Sequence, residues 1–355
     1  MEVRKDLLSM LPEELEAFVV SLGESKYRAD QLFRWMCKGA AISDMANLPA
    51  AFREKLMTEA TYSLPKVEKK LVSQIDGTVK FLFAMQDGEL IESVVMRYEH
   101  GTTICVSSQA GCRMGCRFCA STLRGKTRDL LPGEILGQVI VAGREIGERI
   151  DGIVLMGIGE PLDNYDNVIR FLRLVGHPKG LNIGYRHISL STCGLVDRIY
   201  DLAKEEFPIT LSISLHAPND EERSAIMPIN RKYGIDRLLT ACRDYFETTG
   251  RRISFEYTLI SGVNDMPEKA EELASVLKKY MPGMPLHVNL IPVNPVEERE
   301  FVKSPKERVA KFQQTLAAAG VNATVRRKLG ADINASCGQL RHKENQSKKG
   351  EAESV

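Results

Sequence analysis

The chain has no long apolar stretch. No run approaches the ~18 residues that a membrane span needs. No apolar segment follows the charged start Met1-Glu2-Val3-Arg4-Lys5-Asp6, so no secretory leader is expected and the protein is placed in the cytoplasm, away from membranes. It also lacks an excess of either charge: 48 Lys and Arg against 47 Asp and Glu leave a net charge of +1. Bulk charge therefore gives no pull toward nucleic acid, and any RNA contact must come from local basic patches. Tryptophan is nearly absent, with the one residue at position 35. A disulfide framework is not expected either, because the 8 cysteines would sit in a reducing compartment.

What is present is an ordinary globular composition, 43% hydrophobic and 27% charged, on 355 residues. That length allows one large domain with a small companion. Residues 1–62 read as a helical module. Leu11-Pro12-Glu13-Glu14 is a helix start, a second helix spans 27–38 with Gly39 as its stop, and a third covers 49–58. Residues 63–100 read as a strand meander, with Asp76-Gly77 and Asp87-Gly88 as two-residue hairpin turns whose central positions both take positive φ.

From residue 101 to 340 short apolar strands alternate with helices. Strands are expected at 102–106, 152–156, 187–190, 209–214, 253–259, 286–291 and 323–325. Helices are expected at 132–145, 165–174, 196–204, 235–247, 268–280 and 305–319. This is an α/β pattern with parallel strands and right-handed crossovers, and so many units point to a (β/α) barrel, complete or partial. Residues 341–355 are polar and charged, and a disordered tail is expected there.

Such a barrel keeps its chemistry on the loops after the strands. Those loops here carry Ser107-Ser108-Gln109-Ala110-Gly111, Gly157-Ile158-Gly159-Glu160-Pro161, Ser191-Thr192-Cys193-Gly194, Leu215-His216-Ala217-Pro218-Asn219-Asp220, Pro292-Val293-Asn294-Pro295 and Arg326-Arg327-Lys328. The first of them leads into Cys112-Arg113-Met114-Gly115-Cys116-Arg117-Phe118-Cys119, three cysteines within eight residues. Three thiolates can hold three irons of a 4Fe–4S cluster and leave the fourth open to a ligand. A structural zinc site is the competing reading, but it wants four Cys or His ligands and the motif has no histidine.

A C-x3-C-x2-C loop after the first barrel strand resembles the radical S-adenosylmethionine (SAM) superfamily, in which SAM binds the open iron. Cys105-Val106-Ser107-Ser108-Gln109, Met156-Gly157-Ile158-Gly159-Glu160-Pro161-Leu162, Ser214-Leu215-His216-Ala217-Pro218-Asn219-Asp220, Asn289-Leu290-Ile291-Pro292 and Ala335-Ser336-Cys337-Gly338-Gln339-Leu340 narrow the likeness. They resemble the RlmN/Cfr family of RNA adenosine methyltransferases over nearly the whole chain.

The resemblance implies a partial barrel of the radical SAM type behind a helical module and a small strand element. It implies Cys112, Cys116 and Cys119 as cluster ligands, and Gly159, Glu160, Ser191, Ser214, Leu215, His216 and Asn294 as SAM contacts. It implies that Cys337 takes a methyl group from one SAM and that a radical from a second SAM removes hydrogen from that methyl. The resulting carbon adds to the adenine, Glu92 accepts the ring proton, and Cys105 attacks the sulfur of Cys337, leaving a Cys105–Cys337 disulfide to be reduced. Taken alone, Glu92 in an alternating strand would read as a solvent-facing residue. Cys37, Cys193 and Cys242 read as buried structural thiols.

The expected product is 2-methyladenosine in 23S rRNA and tRNA, with 8-methyladenosine in rRNA as the nearest alternative. A monomer served by an external reductant such as flavodoxin or ferredoxin is expected. Arg124, Lys126, Arg128, Arg326, Arg327 and Lys328 are candidates for phosphate contacts. A non-catalytic iron–sulfur protein that binds RNA or senses redox state, and a zinc-stabilised RNA-binding module, are rivals of another class.

Overall fold

A computed structural model of the chain describes residues 4–296, 298–335 and 340–341. Near its start β1 (Lys5–Asp6) pairs in parallel with β2 (Ala60–Thr61), and this pair brackets three helices, α1 (Pro12–Ser21), α2 (Tyr27–Cys37) and α3 (Ala50–Glu59). At the start of α1, Pro12 has no N–H to leave unpaired and the Glu14 carboxylate accepts the Leu11 N–H at 2.9 Å. After α2 the chain turns at Gly39, φ +67°, a left-handed conformation that glycine takes without strain.

Strands β3 (Lys66–Val72), β4 (Val79–Ala84) and β5 (Leu90–Tyr98) are antiparallel neighbours. Their turns are not the two-residue hairpins expected. Gly77 and Gly88 take positive φ, +69° and +84°, but Asp76 and Asp87 do not. Each aspartate instead accepts the N–H two residues on, Thr78 at 3.0 Å and Glu89 at 3.1 Å, which makes a longer loop with an Asx turn.

Beyond β6 (Gly101–Cys105), β7 (Gln109–Gly111) and β8 (Lys126–Asp129) form a small separate pair. The large sheet continues through β9 (Gly152–Leu155), β10 (Ile188–Thr192), β11 (Thr210–Ser214), β12 (Ile253–Leu259), β13 (His287–Pro292) and β14 (Asn322–Val325). Within this large sheet every pairing from β6 onward is parallel and follows chain order. The connections run through α4 (Pro132–Ile146), α5 (Tyr165–Gly176), α6 (Val196–Ala203), α7 (Asp220–Ile226), α8 (Ile235–Thr249), α9 (Pro267–Tyr280) and α10 (Lys306–Ala318). The ten-stranded order starts at β14 and ends at β3, so the barrel is partial.

Strand alternation divides the two faces. Leu190, Ile213, Phe255 and Leu290 pack into the core with helix residues such as Ile135, Val139, Phe171, Leu239 and Phe312. The opposite face is polar and satisfies itself across strands: Ser189 Oγ meets Ser212 Oγ at 3.1 Å, Ser254 Oγ meets His287 Nδ1 at 2.9 Å, and His287 Nε2 meets Thr324 Oγ1 at 3.0 Å. That concave polar face is where the site lies.

The expected tail does not begin at residue 341. Arg341 is buried, its N–H donates to Glu92 Oε1 at 2.6 Å and its guanidinium reaches Glu89 at 2.9 Å. Residues 342–355 and Cys337 lie outside the described residues.

Candidate active site

The cysteine loop is shaped by glycine and by backbone contacts. Gly111 turns at φ +86°, and a Cβ there would lie 2.0 Å from the Gly125 oxygen, so no other residue fits. The Cys112 N–H donates to that same oxygen at 2.9 Å. The Cys119 N–H closes onto the Cys116 oxygen at 3.2 Å, and Thr122 Oγ1 donates to both the Cys116 and Cys119 oxygens at 3.0 and 2.9 Å. Cys112, Cys116 and Cys119 line one cavity of about 210 Å³ together with Gly159, Glu160, Ser191, Cys193, Ser214, His216 and Glu256.

The Gly-Glu-Pro loop fits closely against the first. Gly159 has φ +110° and its missing Cβ would meet the Gln109 side chain at 2.6 Å. Gln109 Oε1 in turn accepts the Glu160 N–H at 2.9 Å. The Glu160 carboxylate accepts the Leu162 N–H at 3.1 Å and the Cys193 N–H at 2.7 Å. Burial pushes its carboxyl above the usual range, against the pull of the Cys193 amide, and no cation among the described residues pairs with it.

His216 takes a left-handed conformation, φ +59°, uncommon outside glycine. Asn264 holds it by donating to the His216 and Thr258 oxygens, both at 2.8 Å. The Thr258 N–H donates to His216 Nδ1 at 2.9 Å, so the ring proton belongs on Nε2. Burial, aided by Arg223, lowers the ring to about 3 and keeps it neutral. Phe118 meets it edge-on at 4.9 Å.

Leu215 is buried behind the rim, its N–H on the Glu256 oxygen at 3.1 Å. Asn294 is exposed and lines an adjoining cavity of about 270 Å³. Neither cavity alone reaches the ~300 Å³ common for small-molecule sites. They share Phe118, Cys119, Met156, Thr258, Ile291 and Arg326, and so adjoin along a common wall.

Cys105 lines the outer cavity, buried with Val94 and Met96 and packed beside Leu329 and Ala335. Ala335 stands two residues before Cys337 in sequence. Glu92 is not solvent-facing, as its strand pattern suggests. It is 2% exposed and paired with Lys80 at 2.9 Å, and it lines neither cavity.

Among the basic candidates, Lys126 is paired to Asp129 and Asp163, and Arg128 to Glu134 and Asp87. Both are tied into the fold. Arg326, Arg327 and Lys328 are exposed and line the outer cavity, and Arg124 is exposed.

Several site residues escaped sequence reading. Arg223 is fully buried beneath the rim and donates to the oxygens of Leu215 (3.1 Å), Ser214 (3.1 Å) and Cys193 (2.7 Å) and to Asn230 Oδ1 (2.8 Å). It ties the ends of β10 and β11 together. Glu256 projects into the inner cavity, held by Asn289 at 2.7 Å. In a sequence both look like residues of ordinary amphipathic elements. Cys193, read as a structural thiol, is buried as expected but also lines the inner cavity.

The donor set suits an iron–sulfur cluster with SAM on it. Three thiols share a polar hollow, and burial raises Cys112 to about 12 and Cys116 further, so they would lose their protons only to a bound cation. No three His, Cys, Asp or Glu side chains among the described residues converge on a point suited to a single metal ion. The uncompensated Glu160 carboxylate beside them suits the ammonium of an amino-acid ligand.

These features define a radical SAM architecture, and the comparisons agree. Residues 106–275 match the model of the radical SAM superfamily, and residues 5–61 match that of the ribosomal RNA large subunit methyltransferase N-terminal domain. The chain is 52% identical to a probable dual-specificity RNA methyltransferase RlmN of Clostridium novyi over 95% of this chain and 98% of that protein. It is 53% identical to one of Alkaliphilus oremlandii over 96% and 99%. The crystal structure of a radical SAM methyltransferase from Sphaerobacter thermophilus superposes with a TM-score of 0.89 at 44% identity, over 94% of this chain and 98% of that one. The chain belongs to the RlmN family of radical SAM methyltransferases, and it is an enzyme.

Proposed function

We propose that the enzyme methylates C2 of adenosine in 23S rRNA and tRNA, in the cytoplasm, drawing electrons from an external reductant. The observation that carries this reading is the pair of adjoining cavities. The inner one has the three motif thiols, Cys193 and Glu160, and the outer one has Cys105, Ala335 and an Arg-Arg-Lys rim. An sp² ring carbon is not nucleophilic, so direct polar transfer from a sulfonium does not serve it.

Cys112, Cys116 and Cys119 would hold a 4Fe–4S cluster. Glu160 would take the ammonium of SAM, with Gly159 giving it room and Ser191, Ser214 and the Nε2–H of His216 facing the same ligand. Leu215 and Asn294 would complete that pocket from behind and above. Bound there, the cluster and SAM supply the methyl group and the one-electron chemistry. Cys337, as thiolate, would carry the methyl group as a thioether. Glu92 would accept the proton from the ring carbon. Once the Cys337-borne carbon is bonded to the ring carbon, the Cys105 thiolate would attack the Cys337 sulfur and break its bond to that carbon; the carbon takes a proton and leaves as the methyl group of the base, and a disulfide remains that two electrons reopen. Arg326, Arg327 and Lys328 would meet RNA phosphates at the mouth.

Nucleoside mass spectrometry on unmodified rRNA fragment and tRNA, after anaerobic incubation with reductant and SAM, tests this. 2-Methyladenosine with the wild type and none with Cys337→Ala is the expected outcome. 8-Methyladenosine would move the assignment to the other ring carbon, and SAM cleavage with no methylated adenosine would remove the RNA assignment.

A further inference from the structure

The antiparallel strands carry a charge pair for which fold stability gives no account. Lys80 on β4 is 0% exposed and Glu92 on β5 is 2% exposed. The Lys80 ammonium lies 2.9 Å from Glu92 Oε2 and donates to the Asn334 main-chain oxygen at 3.0 Å. Glu92 Oε1 accepts the Arg341 N–H at 2.6 Å. The register explains the pairing. Lys80 sits opposite Val94 and Glu92 opposite Leu82, so the two side chains share a face one diagonal step apart.

Burying two opposite charges costs desolvation that their attraction often fails to repay, and apolar residues of like volume commonly serve stability better. The neighbouring β4 positions Phe81, Leu82 and Phe83 are indeed apolar and fully buried. What the pair does touch is the chain on both sides of Cys337: Asn334 before it and Arg341 after it. The later side has a further grip among the described residues, the Arg341 guanidinium on Glu89 at 2.9 Å, and the earlier side has more. Asp332 accepts from Ser73 Oγ at 2.6 Å and from the Gln74 N–H at 2.8 Å, and the Gly330 N–H donates to Asp76 at 2.8 Å.

We propose that Lys80 is a positioning residue for the methyl-transfer chemistry: through its ion pair with Glu92 it holds Asn334 and Arg341, the described residues on either side of Cys337 in sequence, and so limits where that cysteine can reach. This rests on the reading of Cys337 as the methyl carrier. It also gives Glu92 a second duty, as an anchor whose two oxygens face Lys80 and Arg341 before any proton is moved.

The test uses the full chain, reconstituted anaerobically, as Lys80→Met, Lys80→Arg and the double variant Lys80→Met/Glu92→Gln. One readout is iodoacetamide labelling of Cys337 followed by peptide mass spectrometry, with fully buried Cys242 as the internal control of folding. The other is the split between 5′-deoxyadenosine released from SAM and methyl found on Cys337. Lys80→Met is expected to keep Cys242 protected and SAM cleavage intact, to change Cys337 labelling by about tenfold or more and to lower cysteine methylation as much, a factor that corresponds to about 1.4 kcal/mol. Lys80→Arg keeps the cation and should restore most of both. The double variant leaves no unpaired buried charge, so it should fold normally yet still label abnormally at Cys337.

Wild-type labelling and methylation in Lys80→Met or in the double variant overturns the proposal. So does parallel loss of SAM cleavage and Cys242 protection in both, which would make Lys80 a stabilising residue only. If the wild type never carries methyl on Cys337, the carrier reading fails by itself, and the labelling rates still decide the role of Lys80.

Discussion

The parallel and antiparallel halves of the large sheet handle polar groups in opposite ways. From β6 to β14 the polar side chains face a hollow, and the loops at the strand ends supply thiols, a carboxylate and a neutral imidazole to it. Those groups are held mainly by neighbours on the same or adjacent loops, as with Glu160 on the Cys193 amide. From β3 to β5 the polar groups face another piece of chain. Asp76, Lys80 and Glu92 reach residues roughly 250 positions away, at Gly330, Asn334 and Arg341. One half thus offers a ligand pocket built from local motifs, and the other joins strands near the start of the sheet to residues near the end of the chain. The difference teaches that the pocket depends on loop sequence, while the joining of distant segments depends on long-range contacts.

Breaking the parallel half should give the largest effect. Cys116→Ser is expected to abolish bound iron and 5′-deoxyadenosine formation together, read by iron analysis and chromatography of SAM products, while the circular dichroism spectrum stays that of the wild type. Next comes the brace beneath the rim. Arg223→Met should lower stability by about 3–5 kcal/mol, because the Asn230 side chain and three backbone oxygens lose a buried charged donor. Urea unfolding monitored by tryptophan fluorescence and circular dichroism measures it. Arg223→Lys should recover little, since an ammonium cannot reach four acceptors spread across a guanidinium fork.

Breaking the antiparallel half should be milder and pH-dependent. Burial works against the Asp76 carboxylate, but the Gly330 and Thr78 N–H groups outweigh it and hold the carboxyl down at about 2. A depressed carboxyl contributes above its unfolded value near 4 and loses that contribution as pH falls toward about 2. Limited proteolysis after Gly330 should therefore speed up across that window in the wild type. Asp76→Asn should show faster cleavage already at neutral pH, with no acid-dependent rise from this site. The smallest effect belongs to the mouth. Arg327→Ala should weaken RNA binding a few-fold and lower the slope of log affinity against log salt by about one, measured by filter binding over a salt series.

Legibility in the sequence follows the same division. The parallel strands and six of their helices could be read to within one or two residues, because each strand is an apolar run bounded by Gly- or Pro-bearing loops, but the short α7, which carries Arg223, was not expected. The cysteine loop and Gly159-Glu160-Pro161 could be singled out because the unusual residues lie within a few consecutive positions, and the structure brings them to one cavity; His216 was singled out only by resemblance, and it lines that same cavity. Glu256 and Arg223 were not, since their roles depend on which cavity or carbonyls they meet after folding. The Asp-Gly turns were placed correctly but given the wrong geometry, because a short-range hairpin signal cannot reveal that Asp76 is engaged by Gly330. By strand pattern alone Glu92 read as solvent-facing, and the burial of Arg341 went unseen, because each depends on the other from opposite ends of the chain. The pairing of β1 with β2 was invisible as well, since two-residue strands have no period.

The most direct test of the central claim, that the two halves meet in one methyl relay, is a single-turnover experiment with SAM bearing a deuterated methyl group. The account predicts deuterated methyl on the Cys337 peptide before any label reaches RNA, and label in 2-methyladenosine only afterwards. Labelled 2-methyladenosine formed while Cys337 stays unmodified, or formed at the wild-type rate by Cys337→Ala, would contradict it.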